Sequence, residues 1–250
     1  VVRDTEKNGI ALYHGRTLHG IQPLDPKLRN EPYSYYARSG PVGEVFMYLK
    51  HPARVGVIGL GTGTLLTYSE KGDRWTYYEI NPQVVAVARN TAYFTYLAES
   101  RAPQVEVELG DARLKLAQAP LHGFDVLVLD AFGSDSIPIH LLTREAMQLY
   151  WSRLAEGGVL LLHISNNYLD LSRALGPLAK DAGAEAYVRD DLSLKNSGVA
   201  RLATTWAVMA RAPGRLSVVA RDPRWRKLEG GGGRVWSDDY FNLLSLLRFR

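Results

Sequence analysis

Three carboxylates stand where chemistry would need them. Glu79 closes the segment RWTYYE, Asp111 follows QVEVELG, and Asp130 follows FDVLVL. Each apolar segment has the length of a strand, so each acid falls at a strand's carboxyl end. Ahead of them VIGLGTGTLL, residues 57–66, breaks an apolar run with alternate glycines: Gly59, Gly61 and Gly63. A glycine turn lets main chain approach a ligand closely, and a helix starting behind it offers unpaired N–H groups. Glu79 lies 20 residues after Gly59, where an acid accepts hydrogen bonds from a ribose diol. Asp111 is placed to accept from an adenine amino group, and Asp130 ends the fourth strand of the series. Any one of these acids alone is equally well a helix cap or a turn residue. Three at successive strand ends, beside a glycine turn, describe a pocket for an adenosine bearing a positive group. S-adenosylmethionine and its relatives, which carry a sulfonium, have that chemistry.

The spacing disfavours another ligand class. A dinucleotide fingerprint needs glycine at its first, third and sixth places. Counted from Gly59 the sixth place is Thr64, and counted from Gly61 it is Leu66. NAD and FAD fit poorly.

The elements that must position these residues follow from periodicity. GIALYHGRTLHGIQ predicts a short β-hairpin, and the proline-containing stretch 23–40 a loop. These make a small N-terminal β region over residues 1–40. From residue 41 onward strands alternate with helices: RVGVIGLG, RWTYYEI, QVEVELGD, FDVLVLDAF and GVLLLHIS are strands, with helical segments after each. Asn81 with Pro82, and Thr143, are expected to start two of the helices. AEAYVRD and ATTWAVMAR add two last strands, and WSDDYFNLLSLL predicts a final helix beginning near Asp238. The expected class is α/β, a Rossmann-like, class I methyltransferase-type doubly wound sheet over residues 41–250.

Composition closes other classes. The net charge of +4 across 250 residues is too mild for a nucleic-acid binder. There is no cysteine, which removes disulfides and thiolate metal sites, and the six histidines show no ligand spacing. No metal is expected. No apolar run reaches the roughly 20 residues of a membrane span, and no signal peptide is recognised at the start. The default location is cytoplasmic. The opening, VVRDTEKNG, has the look of a cut from a longer chain.

The segments GLGTGT, YEINPQVVAVAR, GDAR and FDVLVLDAFGSDSIPIHLLTREAMQLYWSRLAEGGVLLLHIS resemble the spermidine synthase family, closest to spermidine synthase-like domains of the type fused to membrane segments. The resemblance runs in order over roughly residues 10–170, and the ending WSDDYFNLL is similar too. It implies transfer of an aminopropyl group from decarboxylated S-adenosylmethionine to an amine acceptor. The nucleoside site it implies comprises Gln22, the turn Gly59, Gly61, Thr62 and Gly63, then Glu79 on the ribose, Asp111 and Ala112 on the adenine, and Asp130. Asp130 matches the first acid of the family's D-x-x-D-P segment and is the expected proton acceptor. Asp135 matches the second, two residues later than usual. Tyr36 is the third catalytic candidate. Tyr35, Tyr36, Asp135 and Trp236 are candidates for the acceptor pocket, where aromatic faces suit a cation. A homodimer is compatible with the family's habit.

Two departures widen the reading. The family's turn usually reads GGGDGG, with the aspartate facing the donor's cationic arm; here Thr62 stands in that place. The acidic segment after the hairpin has become QPLDPKLRNEPYSYY, with Lys27 and Arg29. Ordinary S-adenosylmethionine therefore stays open as donor, with methyl or aminocarboxypropyl transfer as alternatives. A non-catalytic nucleoside-binding regulatory domain is the third reading.

Overall fold

The alternating residues of GIALYH and TLHGIQP do pair, and they gain a third strand. In the computed structural model, which describes residues 1–15, 17–132, 137–192, 201–231 and 233–248, β1 (Val2–Asp4), β2 (Gly9–His14) and β3 (Thr17–Pro23) form one antiparallel sheet. Ala11, Leu18, Ile21 and Tyr33 make its small core, with Tyr13, Tyr35 and Leu202 against it. Two units divide the chain: Val1–Ala112 with Asp191–Thr204, and Arg113–Asp190 with Thr205–Arg250.

In the first unit α1 (Pro41–Met47) precedes β4 (Arg54–Ile58) and β5 (Arg74–Glu79), then α2 (Pro82–Arg89) and β6 (Gln104–Leu109). The three strands run parallel in the order β4-β5-β6. Pro41 stands at the start of α1, where its missing N–H costs nothing. Asn81 caps α2 as expected, its side chain accepting from the Gln83 N–H at 2.9 Å. An aromatic stack ties the layers together. Phe46 of α1 lies on Tyr68 at 5.0 Å and on Trp75 at 5.6 Å, ring centre to ring centre. The ladder continues one residue past each strand. Gly59 N–H donates to the Tyr78 carbonyl, and Gly110 N–H to that of Glu79. This brings the glycine turn, Glu79 and Asp111 to one end of the sheet.

The helix expected behind the glycine turn is a single 3-10 turn, Thr64–Tyr68. Two features set this. Gly59, Gly61 and Gly63 have φ of +96°, +54° and +83°, so the chain winds left-handed into position. Thr64, Leu65, Leu66 and Tyr68 are then all buried, with no polar face for a longer surface helix.

The second unit holds α3 (Ala112–Leu116), whose first residue belongs to the first unit, followed by β7 (Phe124–Leu129), α4 (Arg144–Arg153), β8 (Leu154–His163) and α5 (Ser172–Asp181). Its remaining elements are β9 (Glu185–Asp191) and β10 (Thr204–Ala210), whose last and first residues respectively belong to the first unit, with α6 (Ser217–Arg221) and β11 (Arg226–Lys227). The strand order is β11-β9-β10-β8-β7, with β7 parallel to β8 and β10 antiparallel to it. All seven residues of β10 are buried, as are the apolar residues of β7. Layers cover both faces of such strands. Thr143 caps α4 as expected.

The final helix does not form; Leu244–Leu246 is one 3-10 turn. Asp238, near which it was expected to begin, is already engaged. Its carboxylate accepts a bidentate pair from Arg113 at 2.8 Å each and a hydrogen bond from the Thr143 hydroxyl at 2.7 Å. The Arg113 hydrogen bonds hold the Asp238 carboxyl below the usual carboxylate range. No helix among the described residues is long and apolar enough to cross a membrane.

Two measurements check this account. A Cβ added at Gly61 would lie 2.4 Å from the carbonyl oxygen of His19 on β3, at a φ that side chains resist. Gly61→Ala should therefore lower stability by about 2 kcal/mol or more, read as a lower urea midpoint; an unchanged midpoint contradicts the close passage of β3 over the turn. Asp4 accepts from the Lys7 ammonium at 2.7 Å and from the Tyr13 hydroxyl at 2.9 Å. The Lys7 hydrogen bond, against the opposing cost of burial, lowers its carboxyl from 3.8 to about 2. A depressed carboxyl stabilises above its unfolded value and loses that stabilisation as pH falls toward 2. Asp4→Asn should cost about 1 kcal/mol at pH 7 and nothing at pH 1.5.

Candidate functional site

Glu79 is the centre of the first unit's candidate site. It is the last residue of β5 and is 8% exposed. One carboxylate oxygen accepts the N–H of Leu60, inside the glycine turn, at 2.9 Å. The other accepts the N–H of Asn81, just before α2, at 2.8 Å. Each carboxylate oxygen has two lone pairs, so both retain capacity after these bonds. The carboxylate is thus aimed by the backbone and still able to accept two hydroxyls. A bidentate acceptor held this way is what a cis-diol requires.

The glycine turn around it is closed on one side by the hairpin. Thr62, expected to face the donor's arm, is 1% exposed. Its hydroxyl shares a 2.8 Å hydrogen bond with that of Thr64. It lies against Gly20 of β3, where a Cβ would come within 2.2 Å of Thr62 Oγ1. Whatever faces it, the turn presents no ionisable group at this position.

Asp111 follows Gly110 and immediately precedes α3, which Ala112 opens. Glu79 and Leu109 are register partners across β5 and β6, so Asp111 lies two residues beyond the level of Glu79. Both acids therefore belong to one rim.

Gln22, expected at the nucleoside, is held by its own neighbours. It is 4% exposed, and its two N–H bonds go to the Arg29 carbonyl at 2.9 Å and the Thr95 hydroxyl at 2.8 Å. Its oxygen accepts the Thr95 N–H at 2.8 Å. The side chain braces the hairpin to the segment after α2, and its remaining capacity is one lone pair on that oxygen. Tyr36 is buried, and its carbonyl accepts from the Tyr68 hydroxyl. Tyr35 meets it edge-on at 6.1 Å and packs on the hairpin core.

The second unit carries the other candidate acid. Asp130 follows β7, and its side chain is 8% exposed. One of its oxygens lies 2.7 Å from Nδ1 of His163, the last residue of β8. Nε2 of the same ring lies 2.8 Å from the Ser165 hydroxyl. His163 lies inside the strand GVLLLHIS expected from the sequence. The signal that finds it is strand register: Leu129 pairs with Leu162 in the parallel β7–β8 ladder, so the next residues on the two strands, Asp130 and His163, come out side by side. Trp236, a candidate for the acceptor pocket, is 3% exposed. Its carbonyl accepts the Arg144 N–H at 2.8 Å and its ring meets Phe241 edge-on at 6.4 Å. In this unit its ring is a packing surface. Asp135 lies outside the described residues. Among the described residues no group of three or more His, Asp or Glu is disposed to hold a metal ion.

No family model matches the chain. Over 133 residues it is 34% identical to a polyamine aminopropyltransferase of Vibrio vulnificus (strain CMCP6). That match takes in 51% of this chain and 42% of the relative, so it spans under half of the relative's length. Among solved structures, a probable spermidine synthase from Corynebacterium glutamicum ATCC 13032 superposes with a TM-score of 0.68 at 17% identity, covering 96% of this chain and 92% of the other. At that identity the likeness is one of fold. The fold is α/β of the Rossmann-like class, and the chain resembles the spermidine synthase family, in sequence over half its length and in architecture over nearly all of it.

Proposed function

We propose that this chain is a spermidine synthase-like aminopropyltransferase, moving an aminopropyl group from decarboxylated S-adenosylmethionine to an amine. The observation that carries the proposal is the Glu79 carboxylate, fixed by the N–H groups of Leu60 and Asn81 at the glycine turn. Glu79 accepts the two ribose hydroxyls. Asp111 accepts from the adenine amino group, beside Ala112 and the turn formed by Gly59, Gly61, Thr62 and Gly63.

The reaction makes one further demand. A primary amine has a pKa near 10, so releasing its lone pair at pH 7 costs ~4 kcal/mol. Asp130 holds the ammonium and accepts its proton as attack begins. The nitrogen lone pair then forms a bond to the carbon beside sulfur. The C–S bond breaks, and its electrons return to the sulfonium, leaving neutral methylthioadenosine. In-line orientation of the nitrogen supplies the rest of the acceleration. Tyr35, Tyr36, Asp135 and Trp236 remain candidates for the amine's surroundings.

A second reading draws on Thr62. A neutral residue at that place does not repel the carboxylate of ordinary S-adenosylmethionine, which favours aminocarboxypropyl or methyl transfer from the unmodified donor. The nucleoside released separates the readings when each donor is offered with a panel of amines. Methylthioadenosine from the decarboxylated donor supports the proposal. Methylthioadenosine from the ordinary donor points to aminocarboxypropyl transfer, and S-adenosylhomocysteine to methyl transfer. Tight nucleoside binding without any product would make the chain a binding domain. Asp111→Ala should weaken methylthioadenosine about tenfold, or ~1.4 kcal/mol. Asp130→Asn should leave that affinity within about twofold and slow transfer by about 100-fold or more; undiminished turnover in this variant removes Asp130 as the proton acceptor.

A further inference from the structure

In the second unit, the hydrogens of the contacts around Asp130 follow from two conditions, an ionised Asp130 and a neutral His163 ring. The Thr205 N–H has only the role of donor, and it lies 2.8 Å from the Ser165 hydroxyl oxygen. Thr205 is itself held. Its carbonyl accepts the Ile164 N–H at 2.9 Å, and its hydroxyl bonds Asp190 at 2.7 Å. An ionised Asp130 is an acceptor, so the hydrogen on the 2.7 Å contact sits on His163 Nδ1. In the neutral ring Nε2 is then the acceptor, and the Ser165 hydroxyl donates to it across 2.8 Å.

Packing fixes the ring as firmly as its polar contacts do. His163 is 2% exposed. It stacks on Trp206 at 4.4 Å with the planes 5° apart, and Phe132 meets it edge-on at 4.6 Å. His163 and Trp206 are register partners on β8 and β10, so the stack is built into the sheet. The ring has one orientation in which to present Nδ1 to Asp130.

We infer that His163 is a positioning residue for Asp130: its Nδ1–H aims the carboxylate, while Ser165, anchored by Thr205, holds the ring in the tautomer that can do so. The inference rests on the aminopropyltransferase reading for the part that concerns rate. The hydrogen-bond chain itself stands without it. The arrangement has the geometry of a carboxylate–imidazole–hydroxyl triad, but the role runs in the opposite direction. The hydroxyl and the ring serve the carboxylate.

Two measurements test it. The first is nitrogen-15 NMR of the full chain with labelled histidine, in the range where the ring is neutral. The expected result is a hydrogen on His163 Nδ1 and none on Nε2, with the preference reduced in Asp130→Ala. A hydrogen on Nε2 in the unaltered protein overturns the chain. The second is kinetic. His163→Leu should lower kcat by about 100-fold, with KM and the affinity for methylthioadenosine within about twofold. His163→Asn, whose amide nitrogen takes the place of Nδ1, should recover at least about tenfold of that loss. Equal rates in the Leu and Asn variants, or a loss that follows weakened nucleoside binding, overturn the positioning role. If the unaltered protein transfers nothing, the reaction proposed above and the rate role fall together, and the ring-nitrogen result still decides the hydrogen-bond chain. If the Leu variant fails to fold, the same ring-nitrogen result and the Asn variant decide the question.

Discussion

The first unit depends on a carboxylate that two backbone amides hold in place. Glu79 takes the N–H of Leu60 on one oxygen and that of Asn81 on the other. The glycine turn after β4 and the entry to α2 are thereby tied to one side chain at the end of β5. An unpaired, buried carboxylate would be costly, and here the backbone satisfies it. The left-handed φ values of Gly59, Gly61 and Gly63 follow from the same requirement, because the turn has to bring the Leu60 N–H around to face the acid. The hairpin then closes over the turn, with His19 and Gly20 in contact distance of Gly61 and Thr62.

The second unit solves a similar problem with side chains. Asp130 lies at the end of a buried strand, where a carboxylate needs a hydrogen-bond donor. That donor comes from the neighbouring strand, since parallel register puts His163 beside it. The histidine in turn is held by a hydroxyl and by the face of Trp206. Glu79 and Asp130 thus share a design: each is placed by a strand end and aimed by N–H donors.

Much of this was legible in the sequence, for physical reasons that can be named. Strands such as FDVLVL and GVLLLH are continuous apolar runs because both faces are covered, and their ends were easy to find. Asn81 and Thr143 announced their helices because a cap works locally. What was not legible depended on partners far along the chain. The helix expected after the glycine turn is one 3-10 turn because the residues that would form it are buried. Asp238, near which the last helix was expected to begin, is bound by Arg113, 125 residues away. The partners of Gln22, the Arg29 carbonyl and the Thr95 hydroxyl, could not be read from its neighbours in sequence. Nothing near His163 in sequence marks it, because its partner lies 33 residues off; pairing the ends of β7 and β8 in register exposes it.

The central claim is that the clamped Glu79 receives the ribose of a sulfonium nucleoside or its product. A crystal structure of the protein with methylthioadenosine tests this most directly. Both ribose hydroxyls are predicted within hydrogen-bond distance of the Glu79 oxygens, with the Leu60 and Asn81 N–H bonds retained. A nucleoside bound elsewhere, or a Glu79 side chain that leaves those two amides to reach it, would contradict the account.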